Sequence, residues 1–282
     1  RDRSVSRGLG DVYKRQDDYF AANVCFAWSL QILADTAAVL QYTEDARRWS
    51  RRREELVRAF RAEYVTPTGR LVSETQTALI LALHFNIVPD EFRPRLLDAL
   101  EKNIGAHKTH LLTGFIGTPF ACLTLSESGR HDLAGRLLLQ EDDPSWLYEV
   151  RVGATTVWER WDGLDENGEC PIGDDGTDMM ISYNHYASGA VGAFLYRHVL
   201  GVEPTEAGYR KFKFAPVVGG GITEAEGTVG TPYGVIKAAW KIADGEMTMT
   251  VAVPVGTECT VVLPSGEEKV LGSGEYTVTA KA

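Results

Sequence analysis

Along the first two thirds of the chain the apolar positions recur with a helical period. Phe26, Leu30, Leu33, Ala37 and Leu40 fall at alternating steps of four and three, which draws one apolar stripe on a helix. Thr43 ahead of Glu44 and Asp45 has the form of an N-cap followed by first-turn acids. Trp49, Leu56 and Phe60 mark a second helical face, closed by the turn residues Thr66 to Gly69. Gln76 to Phe85 reads as a buried helix, and Pro89 opens another that runs to about Asn103. Shorter helical stretches follow at Pro119–Leu125, Asp132–Leu139 and Ser145–Glu149. A long helix is expected from His185 to Val199, with Gly189, Ala190, Gly192 and Ala193 allowing close helix contact. Paired antiparallel helices fit this order. The connections His107–Thr118 and Trp158–Tyr183 are longer than usual, and long loops on a rigid scaffold are where chemistry concentrates.

The period changes at Gly201–Pro204. Met247, Met249, Val251 and Val253 alternate with Glu246, Thr248, Thr250 and Ala252, the rhythm of a half-buried strand. Ile236, Ala238, Trp240 and Ile242 alternate likewise, and that phase puts Trp240 in a core. Turn signals recur at Gly219–Gly221, Pro232–Gly234, Asp244–Gly245 and Pro264–Gly266. A small antiparallel β-sandwich is expected over residues 204–282, after a helical domain over 17–203.

Composition narrows the class. Of 282 residues, 44% are hydrophobic and 24% charged, so the chain has the material for a real core. The net charge of −10 gives no footprint for a nucleic-acid backbone or an anionic membrane, and a neutral substrate suits it better. No membrane span is expected, because no run of about 18 apolar residues stands out. Cys25, Cys122, Cys170 and Cys259 are scattered without metal-ligand spacing. They read as buried thiols, which leans toward a reducing compartment.

Residues 1–16 stand apart. Ser6 to Gln16 match, codon for codon, a reading frame of a transposon adapter used in sequencing libraries, so a non-native adapter-like segment is expected there. Setting it aside leaves 24 basic against 37 acidic residues, a net charge of −13.

The densest chemistry is Gly153-Ala-Thr-Thr-Val-Trp-Glu-Arg-Trp-Asp162. A carboxylate between two indoles is costly to bury without partners. Glu159 between Trp158 and Trp161 suits a sugar site, where indole faces pack on the pyranose C–H face and the carboxylate works on water. Alternatively Glu159 pairs with Arg160 or a neighbouring arginine and the tryptophans are ordinary core. A second cluster, Ser182-Tyr-Asn-His-Tyr186, offers His185 as a hydroxyl partner, an orienting group for Glu159, a general base, or simply a helix cap. Thr113 to Thr118 is glycine-containing but lacks the lysine of a phosphate loop, and His107 with His110 lacks an acidic partner for a metal.

At these residues the chain resembles the C-terminal half of a glycoside hydrolase family 78 α-L-rhamnosidase. The resemblance is carried in order by Thr75-Gln-Thr77, Leu112-Thr-Gly-Phe115, Gly117-Thr-Pro119 and Pro144-Ser-Trp146. It continues through Gly153 to Trp161, Asn184-His-Tyr186, Pro232-Tyr-Gly234, Trp240, Ala252-Val-Pro254 and Val261-Val-Leu-Pro264. It implies part of an (α/α)6 barrel followed by a small β-sandwich. The implied activity is hydrolysis of terminal α-L-rhamnosides with inversion, on a rhamnose-containing oligosaccharide or glycoside, without metal or organic cofactor. Glu159 falls on the family's general base. Its sugar-contacting His falls on His185, and Asn184, Trp146, Trp158 and Trp161 are expected to bind the substrate with it. The family's general acid lies in an acidic Arg-x-Gly-Trp-like segment that this sequence does not contain, so little activity is expected of the chain alone. The helix faces that would meet that part are expected to be exposed and apolar. Two other readings stay open: an (α/α)-barrel glycosidase for another sugar, and a non-catalytic carbohydrate-binding or scaffolding module.

Overall fold

The computed structural model describes residues 15–170, 172 and 180–282. All but the last two positions of the adapter-like segment, and part of the Trp158–Tyr183 loop, lie outside the described residues. The chain divides into two compact units. The first runs to Thr124 and resumes over Gln140–Gly189; the second joins Leu125–Leu139 to Ala190–Ala282.

In the first unit, α1 (Arg15–Val39) and α2 (Thr43–Tyr64) form a helical hairpin, and α3 (Gln76–His84) packs with α4 (Arg93–Ala106). α2 is amphipathic, with Arg47, Arg48, Arg51, Arg52 and Arg58 exposed and Val57 and Phe60 buried. Phe60 meets Phe20 of α1 edge-on at 5.0 Å. α3 is apolar on every side and is buried from Gln76 to Leu83. Its start is fixed by Thr75, whose side chain accepts the Ala78 N–H at 3.2 Å. Thr43, by contrast, is the first helical residue of α2, preceded by Tyr42 without a side-chain cap. α5 (Thr118–Glu127) contains the boundary between the units, and α7 (Trp146–Arg151) and α8 (Tyr186–Gly189) complete the first.

The stripe expected on α1 is turned. The buried line is Phe20, Val24, Ala27, Leu30, Ala34 and Ala37, whereas Phe26, Leu33 and Leu40 are exposed, as are Trp28 and Ile32 on the other flank of that line. α1 is apolar nearly all round, so its period alone does not say which face finds a partner. The same composition corrects the membrane expectation in part. Tyr19–Val39 reaches the length and mean hydropathy, 1.2, of a span by composition, while one side of it is buried against α2.

The second unit is built around two four-stranded sheets. One has the order β1 (Val202–Pro204), β2 (Lys211–Phe214), β6 (Glu258–Val262), β7 (Glu268–Leu271); the other β3 (Glu224–Thr231), β4 (Gly234–Ala243), β5 (Glu246–Val253), β8 (Gly274–Lys281). All pairings are antiparallel except β2 with β6, which is parallel. Phe212, Phe214, Cys259 and Val261 of the first sheet share a core with Ile236, Trp240, Met247 and Met249 of the second. Trp240 Nε1–H donates to the Val199 carbonyl at 2.7 Å, satisfying the one polar atom of a buried indole.

α6 (His131–Leu138) also belongs to this unit. The Asp132 carboxylate accepts the Gly220 N–H at 2.7 Å, and Gly135 lies so close that a Cβ there would stand 2.5 Å from Gly220 Cα. The stretch expected as a long helix, His185 to Val199, is helical in three successive pieces. It consists of α8, then α9 (Val191–Phe194), then a π-helical turn over Leu195–Val199. Its glycines lower helix propensity where the pieces meet.

No disulfide joins the four cysteines. Burial pushes the thiols of Cys122 and Cys259 up to about 12, so both stay protonated.

Candidate active site

Two ends of the long loop after α7 lie side by side. The Glu159 N–H donates to the Ser182 carbonyl at 2.8 Å, and the His185 N–H donates to the Val157 carbonyl at 2.8 Å. The Thr156 hydroxyl donates to the Tyr183 carbonyl in the same seam. Across this seam the Glu159 side chain turns back, and its Oε2 accepts the Ser182 N–H at 2.8 Å. Its other oxygen has no hydrogen-bond partner among the described residues, and the residue is half-buried. One carboxylate oxygen is thus pinned while the other is open, which is what abstraction of a proton from water requires. Arg160 does not neutralise it: Arg160 grips Asp162 through Nε at 3.0 Å and Nη2 at 2.8 Å.

His185 stands at the start of α8. Its ring stacks on Phe115, centroids 4.5 Å apart and planes 26° from parallel. Nδ1 accepts the Ala187 N–H at 3.3 Å. A neutral imidazole that accepts at Nδ1 carries its hydrogen on Nε2, so His185 offers a donor. Of its expected roles, that geometry favours hydroxyl partner over general base. Asn184 beside it is exposed.

Phe115 sits on the long loop before α5, and buried Gln76 of α3 anchors that loop. Gln76 donates from Nε2 to the His110 carbonyl at 3.1 Å and accepts the Leu112 N–H at Oε1 at 2.8 Å. The Thr113 and Thr118 hydroxyls close the turn at 2.8 Å. Gly117 presses on Thr77, whose Oγ1 would lie 2.9 Å from a Cβ at that position.

The tryptophans stand differently from the expectation. Trp146, Trp158 and Trp161 are all buried. Trp146 donates from Nε1 to the Ser188 carbonyl at 3.0 Å and meets Trp161 edge-on at 5.1 Å. Trp158 meets Tyr183 edge-on at 5.5 Å, and Gly163 lies against its six-membered ring. These indoles form a wall behind the loop, and the exposed aromatics nearby are Tyr183 and Tyr186.

The sequence reading passed over Glu149 of α7. Its side chain is 2% exposed. Oε2 accepts the Trp158 N–H at 3.1 Å, and Oε1 has no partner among the described residues. Burial pushes this carboxyl up to about 8, against a smaller opposing effect of the Trp158 N–H. The available signal was an acid inside the apolar run Trp146-Leu-Tyr-Glu-Val150. Phe115 was quoted for the resemblance but not for its contact with His185. Elsewhere, an open groove of about 770 Å3 follows the outer face of β3, β4, β5 and β8, lined by Glu226, Lys237, Thr250 and Thr277. None of the site residues above lines it.

The order of the chain, helical hairpins and then a β domain, is the order of the two family models it matches. Residues 6–199 match the bacterial alpha-L-rhamnosidase 6 hairpin glycosidase domain, and residues 201–277 match the bacterial alpha-L-rhamnosidase C-terminal domain. The first match begins inside the adapter-like segment. The chain belongs to the bacterial α-L-rhamnosidase family. It is 37% identical to an α-L-rhamnosidase of Streptomyces avermitilis over 92% of this chain and 25% of the relative. To one from Formosa agariphila it is 34% identical over 87% of this chain and 26% of the relative. Among solved structures, the S. avermitilis α-L-rhamnosidase complexed with L-rhamnose superposes with a TM-score of 0.83, at 34% identity, over 92% of this chain and 26% of that one. The native enzyme from Aspergillus terreus gives 0.83 at 33% identity, over 90% of this chain and 29% of that one. The chain therefore spans about a quarter of the length of these relatives.

Proposed function

We propose that this chain carries the base side of an α-L-rhamnoside-hydrolysing site, with Glu159 as the general base of an inverting reaction. The carrying observation is the Glu159 carboxylate, pinned by the Ser182 N–H at one oxygen and open at the other. Water on one face of the sugar loses its proton to the open oxygen as it attacks the anomeric carbon. A carboxylic acid on the other face protonates the leaving oxygen, at the roughly 6.5–9.5 Å separation that inversion requires. His185 donates from Nε2 to a sugar hydroxyl, and Asn184 offers an exposed amide beside it. Trp146, Trp158 and Trp161 serve the site as its rigid wall. L-Rhamnose as the sugar is supported by the relatives, one of which was solved complexed with L-rhamnose. No residue of this chain is assigned as the acid, so we expect little or no turnover by the chain alone.

Isothermal titration with L-rhamnose tests the sugar, with D-mannose as control. Binding of rhamnose in preference to mannose, weakened in His185→Asn, is expected; equal affinity for both sugars would remove the rhamnoside reading. Hydrolysis of an aryl α-L-rhamnoside tests the rest. Robust turnover that survives Glu159→Gln would overturn the assignment of the base. Robust turnover lost in that variant would keep the base and place the acid within this chain.

A further inference from the structure

Glu149 has no part in the proposed mechanism, yet it lies beside the site and is the one buried carboxyl among the described residues. α7 reaches only from Trp146 to Arg151, and its start is fixed by Ser145, whose hydroxyl accepts the Tyr148 N–H at 3.0 Å. One turn on, Glu149 points inward and takes the Trp158 N–H at 3.1 Å, one residue before Glu159. The Ser182 carbonyl takes the next N–H, that of Glu159, at 2.8 Å. Two consecutive amides are therefore held by two different segments of chain. Because each peptide is planar, holding both N–H groups fixes the orientation of the backbone from which the Glu159 side chain departs.

We propose that Glu149 is a positioning residue that clamps the Trp158 amide as an uncharged acid and thereby aims the Glu159 carboxylate. The inference rests on the reading of Glu159 as general base. Glu149 receives a single main-chain N–H, and its second oxygen has no partner among the described residues. The cations of the adjoining segments are engaged elsewhere, Arg151 with Glu166 at 3.3 Å and Arg160 with Asp162 at 2.8 Å. A buried carboxylate so poorly compensated takes up a proton instead. Its upward shift to about 8 agrees with that geometry. The neutral acid keeps one oxygen as acceptor for Trp158 and carries its hydrogen on the other. Glutamine has the same length, the same acceptor and no charge, so it can replace the clamp. Leucine fills the space and cannot.

The test compares the wild-type chain, Glu149→Gln and Glu149→Leu by NMR. Amide hydrogen exchange at Trp158 and Glu159 reports the clamp, and carboxyl carbon titration of Glu159 reports its aim. Glu149→Gln is expected to keep protection at both amides within about twofold and to leave the Glu159 titration in place. Glu149→Leu is expected to lose protection at least tenfold at both and to move the titration, while the β-domain amides stay as they were. Protection kept in Glu149→Leu, or lost equally in Glu149→Gln, overturns the proposal. If Glu149→Leu does not fold, the carboxyl carbon of Glu149 in the wild-type chain decides at pH 6.5: a neutral-acid shift supports the clamp and a carboxylate shift overturns it. The expected exchange pattern in a chain that binds no rhamnose would uphold the clamp and sink the rhamnoside reading instead.

Discussion

Glu159 and Ser182, 23 positions apart, meet twice: main chain to main chain at 2.8 Å, and carboxylate to main-chain N–H at 2.8 Å. The second contact makes the side chain of the proposed base part of the seam that closes its own loop. Truncation and isosteric replacement therefore separate. Glu159→Ala leaves the Ser182 N–H without its acceptor and should cost about 1–3 kcal/mol, read from urea unfolding. Glu159→Gln retains an acceptor oxygen and should stay within about 0.5 kcal/mol of wild type. Equal losses in both would mean that the charge, and not the acceptor, holds the seam.

Glu149 makes stability depend on pH with a definite sign. Its carboxyl is raised from an ordinary 4.5 to about 8 in the folded chain. Between those values the folded state binds more protons than the unfolded one, so stability falls as pH rises through the window. Below about 4.5 and above about 8 its contribution is flat. At about 1.4 kcal/mol per pKa unit the loss across the window amounts to several kcal/mol. Glu149→Gln has nothing to ionise and should become progressively more stable than wild type from pH 5 to pH 8. Urea midpoints that run parallel across that range would contradict the shift.

What the sequence disclosed follows from which elements have one wet face. β5 does, so Met247, Met249, Val251 and Val253 are buried in the expected alternation. α1 is apolar nearly all round, and of its expected stripe Leu30 and Ala37 are buried while Phe26, Leu33 and Leu40 are exposed. The pairing of Glu159 with a distant residue was not legible, because Ser182 contributes its main chain, which every residue type possesses. Glu149 was hidden for a related reason: its partner is a main-chain amide nine positions away. The indoles were legible as a cluster but not in their orientation, since an aromatic run suits a sugar platform and a packed wall equally well.

His185 should prove a donor. Asparagine at this position keeps an acceptor where Nδ1 meets the Ala187 N–H and has nothing in place of Nε2–H. We expect His185→Asn to unfold within about 1 kcal/mol of wild type. Rhamnose affinity should fall about tenfold, near 1.4 kcal/mol. Nitrogen shifts of the wild-type ring should report the Nε2–H tautomer. The Nδ1–H tautomer would contradict the bond to Ala187.

Gly135 reverses a common rule. Glycine inside a helix is worth about 1 kcal/mol less than alanine, so Gly→Ala in a helix such as α6 should ordinarily stabilise. Here an added Cβ would stand 2.5 Å from Gly220 Cα, which is backbone and has no rotamer to yield. Overpacking of that kind typically costs about 1–3 kcal/mol, enough to outweigh the propensity gain. Gly135→Ala should therefore lower the melting temperature. A rise would show that the Gly219–Gly221 turn moves aside at little cost.

The exposed flank of α1 that carries Phe26 and Leu33 bears on association in solution. Phe26 and Leu33, seven positions apart and so on one side of the helix, are both exposed, and clustered apolar surface of this kind associates. The chain should accordingly self-associate with rising concentration in sedimentation velocity. Leu33→Glu removes apolar surface without touching the buried line Leu30, Ala34 and Ala37. It should keep the helical circular dichroism signal and shift the distribution toward monomer. If the wild-type chain is monomeric at high concentration, the exposed residues do not act as one patch. If Leu33→Glu instead loses helix, then that side of α1 contributes to the fold and is not merely its surface.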